Sequence, residues 1–287
     1  MTTKLTVTRP GALTTIQDAG RPGHAHLGVP RSGALDAPSM NLANRLVGNP
    51  QGTPVLETTL TGCAVRPDTD ITAVIGGAPC PVTVNGRPAP WGTPIHVPAG
   101  ATLDAGPATA GIRSYVAIAG GIAADPVLGS RSTDLLSGLG PAPLAQGDLI
   151  PVGRATRTAP PALPVAPPWP APPAELVLPA RFGPRADWFT EAALRTFLTA
   201  TYTVSVHSNR IGLRTEGPAL ERATEGELPS EGMVLGAVQV PPDGRPVVFL
   251  HDHPTTGGYP VIAVVAEEAL AAAAQAVPGT PVRFAPC

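Results

Sequence analysis

Apolar residues recur in short alternating runs along the first half of the chain: Lys4–Thr8, Ala12–Gln17, Thr53–Thr58, Ile71–Ile75, Pro81–Val84, Pro94–Val97 and Arg113–Ala119. Turn residues such as Asn85-Gly86 and Pro98-Ala99-Gly100 separate them. Many short strands at this spacing predict a sandwich or barrel. One helix interrupts them, Ala37–Val47: Asp36 is placed to cap it, Pro38 needs no donor in the first turn, and Gly48-Asn49-Pro50 ends it. The second half repeats the pattern, with strands at Glu175–Pro179, Thr201–Val206, Gly212–Glu216, Ala237–Val240, Pro246–Leu250, Tyr259–Val265 and Pro281–Phe284. Helices are expected at Glu191–Thr199, capped by Thr190, and at Glu267–Val277. The reading is mainly β with a few helices.

Between the halves, Pro160, Pro161, Pro164, Pro167, Pro168, Pro170, Pro172 and Pro173 fall in one stretch. Proline at that density disfavours helix and sheet and favours a polyproline II spacer. The expected organisation is an N-terminal β domain at 1–153, a proline-rich linker at 154–174 and a C-terminal β domain at 175–287.

Composition changes the picture mainly by exclusion. A net charge of −2 lacks the basic excess of nucleic-acid binders, so no nucleic-acid partner is expected. Glu267 and Glu268 interrupt the longest weakly polar stretch, which removes a membrane span. No basic-then-apolar leader opens the chain, and Cys63, Cys80 and Cys287 are too few and scattered for a disulfide framework. A cytoplasmic location is expected. Lys4 is the only lysine. A Walker-type phosphate loop therefore has no lysine to use, and the chain has no lysine suited to carry biotin covalently or to form a pocket Schiff base.

Three segments combine glycine with reactive side chains. In 16–36, Gln17, Asp18, Arg21, Arg31 and Asp36 lie among glycines that permit close backbone approach to a ligand, and Arg21 or Arg31 could grip a carboxylate or phosphate bidentately. In 205–218, Arg210 sits in a Ser-Asn-Arg turn between strands. In 249–260, Asp252 is a candidate base or orienter, Thr255 and Thr256 are donors, and Gly257-Gly258 offers amides to an oxyanion beside Tyr259. The pairs His24/His26 and His251/His253 have no third ligand fixed by spacing, so no metal is expected.

An ordered set of motifs goes further. Gln17–Arg21, Gly33–Asp36, Ala43–Asn49, Leu56-Glu57, Gly129–Asp134, Gln146–Asp148, Ser208–Pro218, Ser230–Gly232, Gly236–Gly244 and Thr255–Pro260 together resemble the biotin-dependent carboxyltransferase, or allophanate hydrolase subunit 2, family, closest to its bacterial 5-oxoprolinase C subunits. The resemblance implies two cyclophilin-like β-barrel domains. It also implies companion subunits A and B, with which the chain opens the 5-oxoproline lactam to glutamate using ATP. On that reading Asp252, Arg210 and Gln239 are the catalytic candidates, and Gln17, Asp18, Arg21, Asp36, Asn44, Thr255, Thr256, Gly257, Gly258 and Tyr259 bind the small-molecule substrate. Two other functions fit the resemblance: carboxyl transfer to urea or a similar amide, and regulation of a kinase-inhibitor-like partner without catalysis. The chain departs from the family pattern at Asn209, where an acid is usual, at His253-Pro254, where Arg-Gln is frequent, and in a shortened Leu135–Pro143.

Overall fold

The structure is a computed structural model that describes residues 3–155, 169–224, 226 and 228–287. Most of the expected proline-rich linker, 156–168, lies outside the described residues. The chain forms two compact units. The first comprises Met1–Arg21, Asp36–Asp134 and Gly138–Pro172, and the second Pro22–Leu35, Leu135–Ser137 and Pro173–Cys287. A single cut near residue 153 therefore does not separate them, because 22–35 and 135–137 join the second unit.

Among the described residues, the first unit holds its strands in two sheets. One runs in the order Leu149–Pro151, Lys4–Arg9, Cys63–Pro67, Leu103–Ala105, Val82–Val84, Arg87–Ala89. The other runs Leu13–Gln17, Val55–Thr59, Arg113–Ile118, Ile71–Gly77, Ile95–Val97. Alternate residues turn inward, so Leu5, Val7, Ile16, Leu56, Val65, Ile75, Leu103, Val116 and Ile118 form one buried core. Helix Ala37–Leu46 packs on the Ile71–Gly77 and Arg113–Ile118 strands. Asp36 accepts Ser39 N–H at 3.0 Å as its cap, as the sequence pattern predicts.

In the second unit seven strands close into a barrel: Leu176–Phe182, Val261–Val265, Ala237–Gln239, Val247–Phe249, Gly212–Glu216, Tyr202–Val204 and Pro281–Pro286. The last strand returns parallel to the first, pairing Leu176 with Val282 through Ala180 with Pro286. Leu178, Leu213, Val238, Val248, Ile262 and Phe284 fill the interior with Phe197 from helix Glu191–Thr199, whose ring stacks on Phe284 at 4.3 Å. Leu35 belongs to this core, which accounts for the grouping of 22–35 with the barrel. The expected helix Glu267–Val277 is shorter than its pattern suggests: Glu267–Ala269 is a 3₁₀ turn and Leu270–Gln275 is α-helical. Among the described residues, no helix is long and apolar enough to cross a membrane.

One contact fixes the end of the proline-rich stretch. The Trp169 indole lies over Gly76 and Gly92, packs at a tilt of 49° against Trp91 with ring centroids 5.3 Å apart, and donates to the Gly92 carbonyl at 3.3 Å. A Cβ at Gly76 would fall 1.9 Å from Trp169 Cη2, so only glycine leaves room for the ring.

Candidate functional site

The sequence-predicted residues divide between the two units. In the barrel unit, strand Val247–Phe249 delivers the chain to Asp252, and the turn before Gly212–Glu216 presents Arg210. Both side chains are fully buried, at 0% and 1% exposure. Arg210 Nε donates to Asp252 Oδ2 at 2.8 Å and Nη2 to Oδ1 at 3.0 Å, a fork-to-carboxylate geometry. Arg210 Nη2 also donates to the Gly33 carbonyl at 2.7 Å, and the Leu135 amide donates to Asp252 Oδ2 at 3.3 Å. The main chains are joined too, with the Asp252 amide donating to the Arg210 carbonyl at 3.1 Å. Both carboxylate oxygens are therefore engaged. The arrangement makes Asp252 an orienting group for Arg210 and for two loops, those carrying Gly33 and Leu135.

The predicted loop Thr255–Tyr259 follows directly. Thr256–Gly257 pairs with Glu231–Gly232 as a two-stranded flap. The Thr255 carbonyl accepts the Met233 amide at 2.9 Å, and Gln239 Nε2 donates to the Tyr259 carbonyl at 3.2 Å. A Cβ at Gly257 would stand 2.8 Å from Gln239 Nε2, so glycine lets the flap lie against that amide. Gln239 is buried while Thr256 and Tyr259 are exposed, giving a loop fixed at its base and open at its tip. Arg185 braces the flap from outside: its Nε donates to both Glu231 oxygens, at 3.0 and 3.1 Å, and its Nη2 also reaches Oε1. The paired guanidinium lowers the Glu231 carboxyl below its ordinary value. Neither Arg185 nor Glu231 stands out in the sequence as a reactive group, although Ser230-Glu231-Gly232 is one of its motifs. His253 packs flat against Phe249, and its Nδ1 lies 2.7 Å from the Pro254 carbonyl. Among the described residues, no group of three or more His, Cys, Asp or Glu could hold a metal ion.

In the first unit, Gln17, Asp18 and Arg21 all grip one segment, Val127–Thr133. Asp18 accepts Ser130 Oγ, Ser132 Oγ and the Arg131 amide, each at 2.6 Å, and the Gly20 amide at 2.8 Å. Gln17 Nε2 donates to the Thr133 carbonyl at 2.9 Å. Arg21 donates from Nε to the Val127 carbonyl at 3.3 Å and from Nη2 to the Ser132 carbonyl. The Nε–Nη2 edge of Arg21 is thus turned to the backbone.

Asp36 and Asn44 sit in a separate buried layer of the same unit. The Asp36 amide donates to Tyr115 Oη at 2.8 Å, and Tyr115 donates onward to Glu57 Oε2 at 2.9 Å. Burial, with the Glu57 and Asp36 carboxylates nearby, pushes the Tyr115 hydroxyl well above its ordinary value and keeps it a donor. Asn44 donates to the Thr53 carbonyl at 2.7 Å and accepts Asn49 Nδ2 at 2.9 Å. Both residues hold the helix and the strands it covers. The sequence assigns no role to Glu57 or Tyr115, though Leu56-Glu57 is among its motifs.

Comparison with known proteins matches this architecture along nearly its whole length. A family model described as carboxyltransferase domain, subdomain A and B, covers residues 27–286. The chain is 38% identical to the 5-oxoprolinase C subunit of Escherichia coli (strain K12), over 99% of this chain and 91% of that protein. It is 35% identical to urea amidolyase of Lachancea kluyveri, over 98% of this chain and 17% of that protein. The crystal structure of the K. lactis urea amidolyase matches with a TM-score of 0.90 at 32% identity, covering 99% of this chain and 18% of that one. The chain spans less than a fifth of these urea amidolyases but nearly all of the bacterial protein. From Arg210 and Asp252 in the barrel to Asp18 and its loop, this is a chain that belongs to the family of carboxyltransferase domains, subdomains A and B.

Proposed function

We propose that the chain is the C subunit of an ATP-dependent 5-oxoprolinase, opening the 5-oxoproline lactam to glutamate together with companion subunits A and B. The observation that carries this reading is the match over 99% of this chain and 91% of a 5-oxoprolinase C subunit, against the match to 17% of a urea amidolyase. A lactam resists water because amide resonance must be broken. Transfer of a phosphoryl group from ATP to the lactam oxygen releases ADP and activates the carbonyl carbon. Water then adds there, the ring C–N bond breaks, and phosphate leaves. ATP is used by the complex, and no step requires covalent biotin on this chain, whose single lysine is Lys4.

In this reading the buried Arg210–Asp252 pair is the fixed base of the barrel site. Asp252 orients Arg210, and Gln239 anchors the Thr255–Tyr259 loop, whose hydroxyls and Gly257-Gly258 amides face the small-molecule substrate. Glutamate release from 5-oxoproline and ATP, assayed with the three purified subunits and with this chain omitted, tests the proposal. Loss of glutamate on omission is the expected result; unchanged release without the chain overturns it.

A second reading, carboxyl transfer to urea or a similar amide, is favoured by the family match itself and by the urea amidolyase similarity. It requires a biotin carrier supplied by another chain. Carboxylation of urea dependent on this chain and a biotinylated carrier would select it.

A further inference from the structure

We infer that one end of the barrel in the second unit binds a small aromatic monocarboxylate, with Phe182 and Phe197 taking the ring and Arg181 pairing the carboxylate. The site lies wholly within that unit and stands whichever reaction the chain serves. Along Leu176–Phe182 the inward positions are Leu176, Leu178 and Ala180, all buried, and the same alternation turns Phe182 toward the interior. Phe182 is nevertheless 47% exposed, so the core is left uncovered where this strand ends. Its ring centroid lies 6.4 Å from that of Phe197, at a tilt of 40°, and the buried Phe197 is itself stacked on Phe284. The two rings, with Ala180, Leu198 and Pro286, line a pocket of about 190 Å³. Barrel mouths are recurrent ligand sites, because apolar side chains there meet solvent on one side only.

Size selects the body of the ligand. An apolar cavity of about 150 Å³ accepts benzene, so this pocket has room for one six-membered ring and a small substituent. Aromatic rings favour tilted and offset contacts with one another, which two phenylalanines already held at a tilt can offer. Charge selects the substituent. Arg181 lines the same pocket, and no Asp or Glu does. Among the described residues the Arg181 guanidinium has no ion-pair partner. A guanidinium keeps its charge and matches a planar carboxylate through paired donors. Because Arg181 is exposed, the carboxylate stays partly hydrated while the ring leaves water, and no charge is buried. The exposed Cys287 thiol also lines the pocket and serves as a reporter of occupancy.

Calorimetric titration of the full chain with benzoate, benzamide and acetate tests the inference. Benzamide keeps the ring and the planar substituent without the charge; acetate keeps the charge without the ring. Benzoate should bind saturably with a Kd of about 1 mM or below. Benzamide should bind about 2- to 5-fold more weakly, the contribution of one exposed ion pair. Arg181→Gln should remove that difference by weakening benzoate alone, and Leu198→Trp, which fills the pocket, should abolish both. At ten times its Kd benzoate leaves about a tenth of sites open, so maleimide labelling of Cys287 should slow by up to about 10-fold. Acetate at the same concentration, matched in ionic strength, should leave labelling unchanged. No saturation by benzoate up to about 10 mM overturns the inference. So does benzamide binding as tightly as benzoate, acetate protecting Cys287 equally, or benzoate saturating without slowing the labelling. Each of these outcomes is read on wild-type protein, so a variant that fails to fold does not shield the inference.

Discussion

Arg210 and Asp252 stand 42 positions apart in the sequence and meet through two side-chain hydrogen bonds, both groups shielded from solvent. Removing one partner leaves a buried charge uncompensated, which typically costs about 3–5 kcal/mol. Asp252→Leu and Arg210→Met should each lose stability on that scale in urea unfolding. The double replacement Arg210→Met with Asp252→Leu should recover much of it, and a coupling energy near zero in that cycle would refute the pairing as a stabilising unit.

Asp18 gives a second stability prediction. Four donors converge on its carboxylate, and an asparagine would present a donor where an acceptor is needed. Asp18→Asn should cost about 1–3 kcal/mol, and Ser130→Ala less, about 1 kcal/mol. Chemical unfolding of the two variants checks the order; the reverse order would mean that the hydroxyls, not the carboxylate, hold the segment.

The flap ion pair gives a pH dependence. Arg185 lowers the Glu231 carboxyl in the folded chain, so the pair contributes fully above the unfolded value, near 4.5, and its contribution is lost as pH falls through the lower folded value. Wild type should therefore exceed Glu231→Gln by a constant margin near neutrality, and the margin should shrink on acidification. Thermal unfolding of both proteins between about pH 3 and 7 measures it. A margin that grows toward acid would contradict the sign.

Cysteine chemistry follows from burial. Burial pushes the Cys63 thiol up to about 12 and raises Cys80, whereas Cys287 is exposed. Native protein should take one maleimide label, at Cys287, and denatured protein three. Peptide mapping by mass spectrometry identifies the site, and rapid native labelling of Cys63 would show that its core opens.

Local signals were readable where capping chemistry fixes them. Asp36 with Pro38 and Thr190 before Glu191 mark two helix starts that the structure repeats. Short edge pieces were not readable: Arg87–Ala89 contains Pro88 at a sheet edge, and Thr256–Gly257 becomes strand only by pairing with Glu231–Gly232. The Glu267–Ala269 turn interrupts an apolar pattern whose spacing alone reads as one helix. Site residues show the same division. Arg210 and Asp252 were each visible as reactive types in turns, but their partnership depends on barrel closure, which no window of sequence contains. Segment 22–35 could not be assigned to the barrel unit, because Leu35 reaches that core only through long-range packing.

The Trp169 seat bears on how this chain can vary. Both flanks of 156–168, through Ala155 and from Trp169 to Pro172, are grouped with the first unit, and the indole fixes the downstream flank. A Cβ at Gly76 or Gly92 would stand 1.9 or 2.5 Å from the indole, so alanine at either position should unseat Trp169. The two glycines and the ring work as lock and key, and a change to either part releases the same flank of chain.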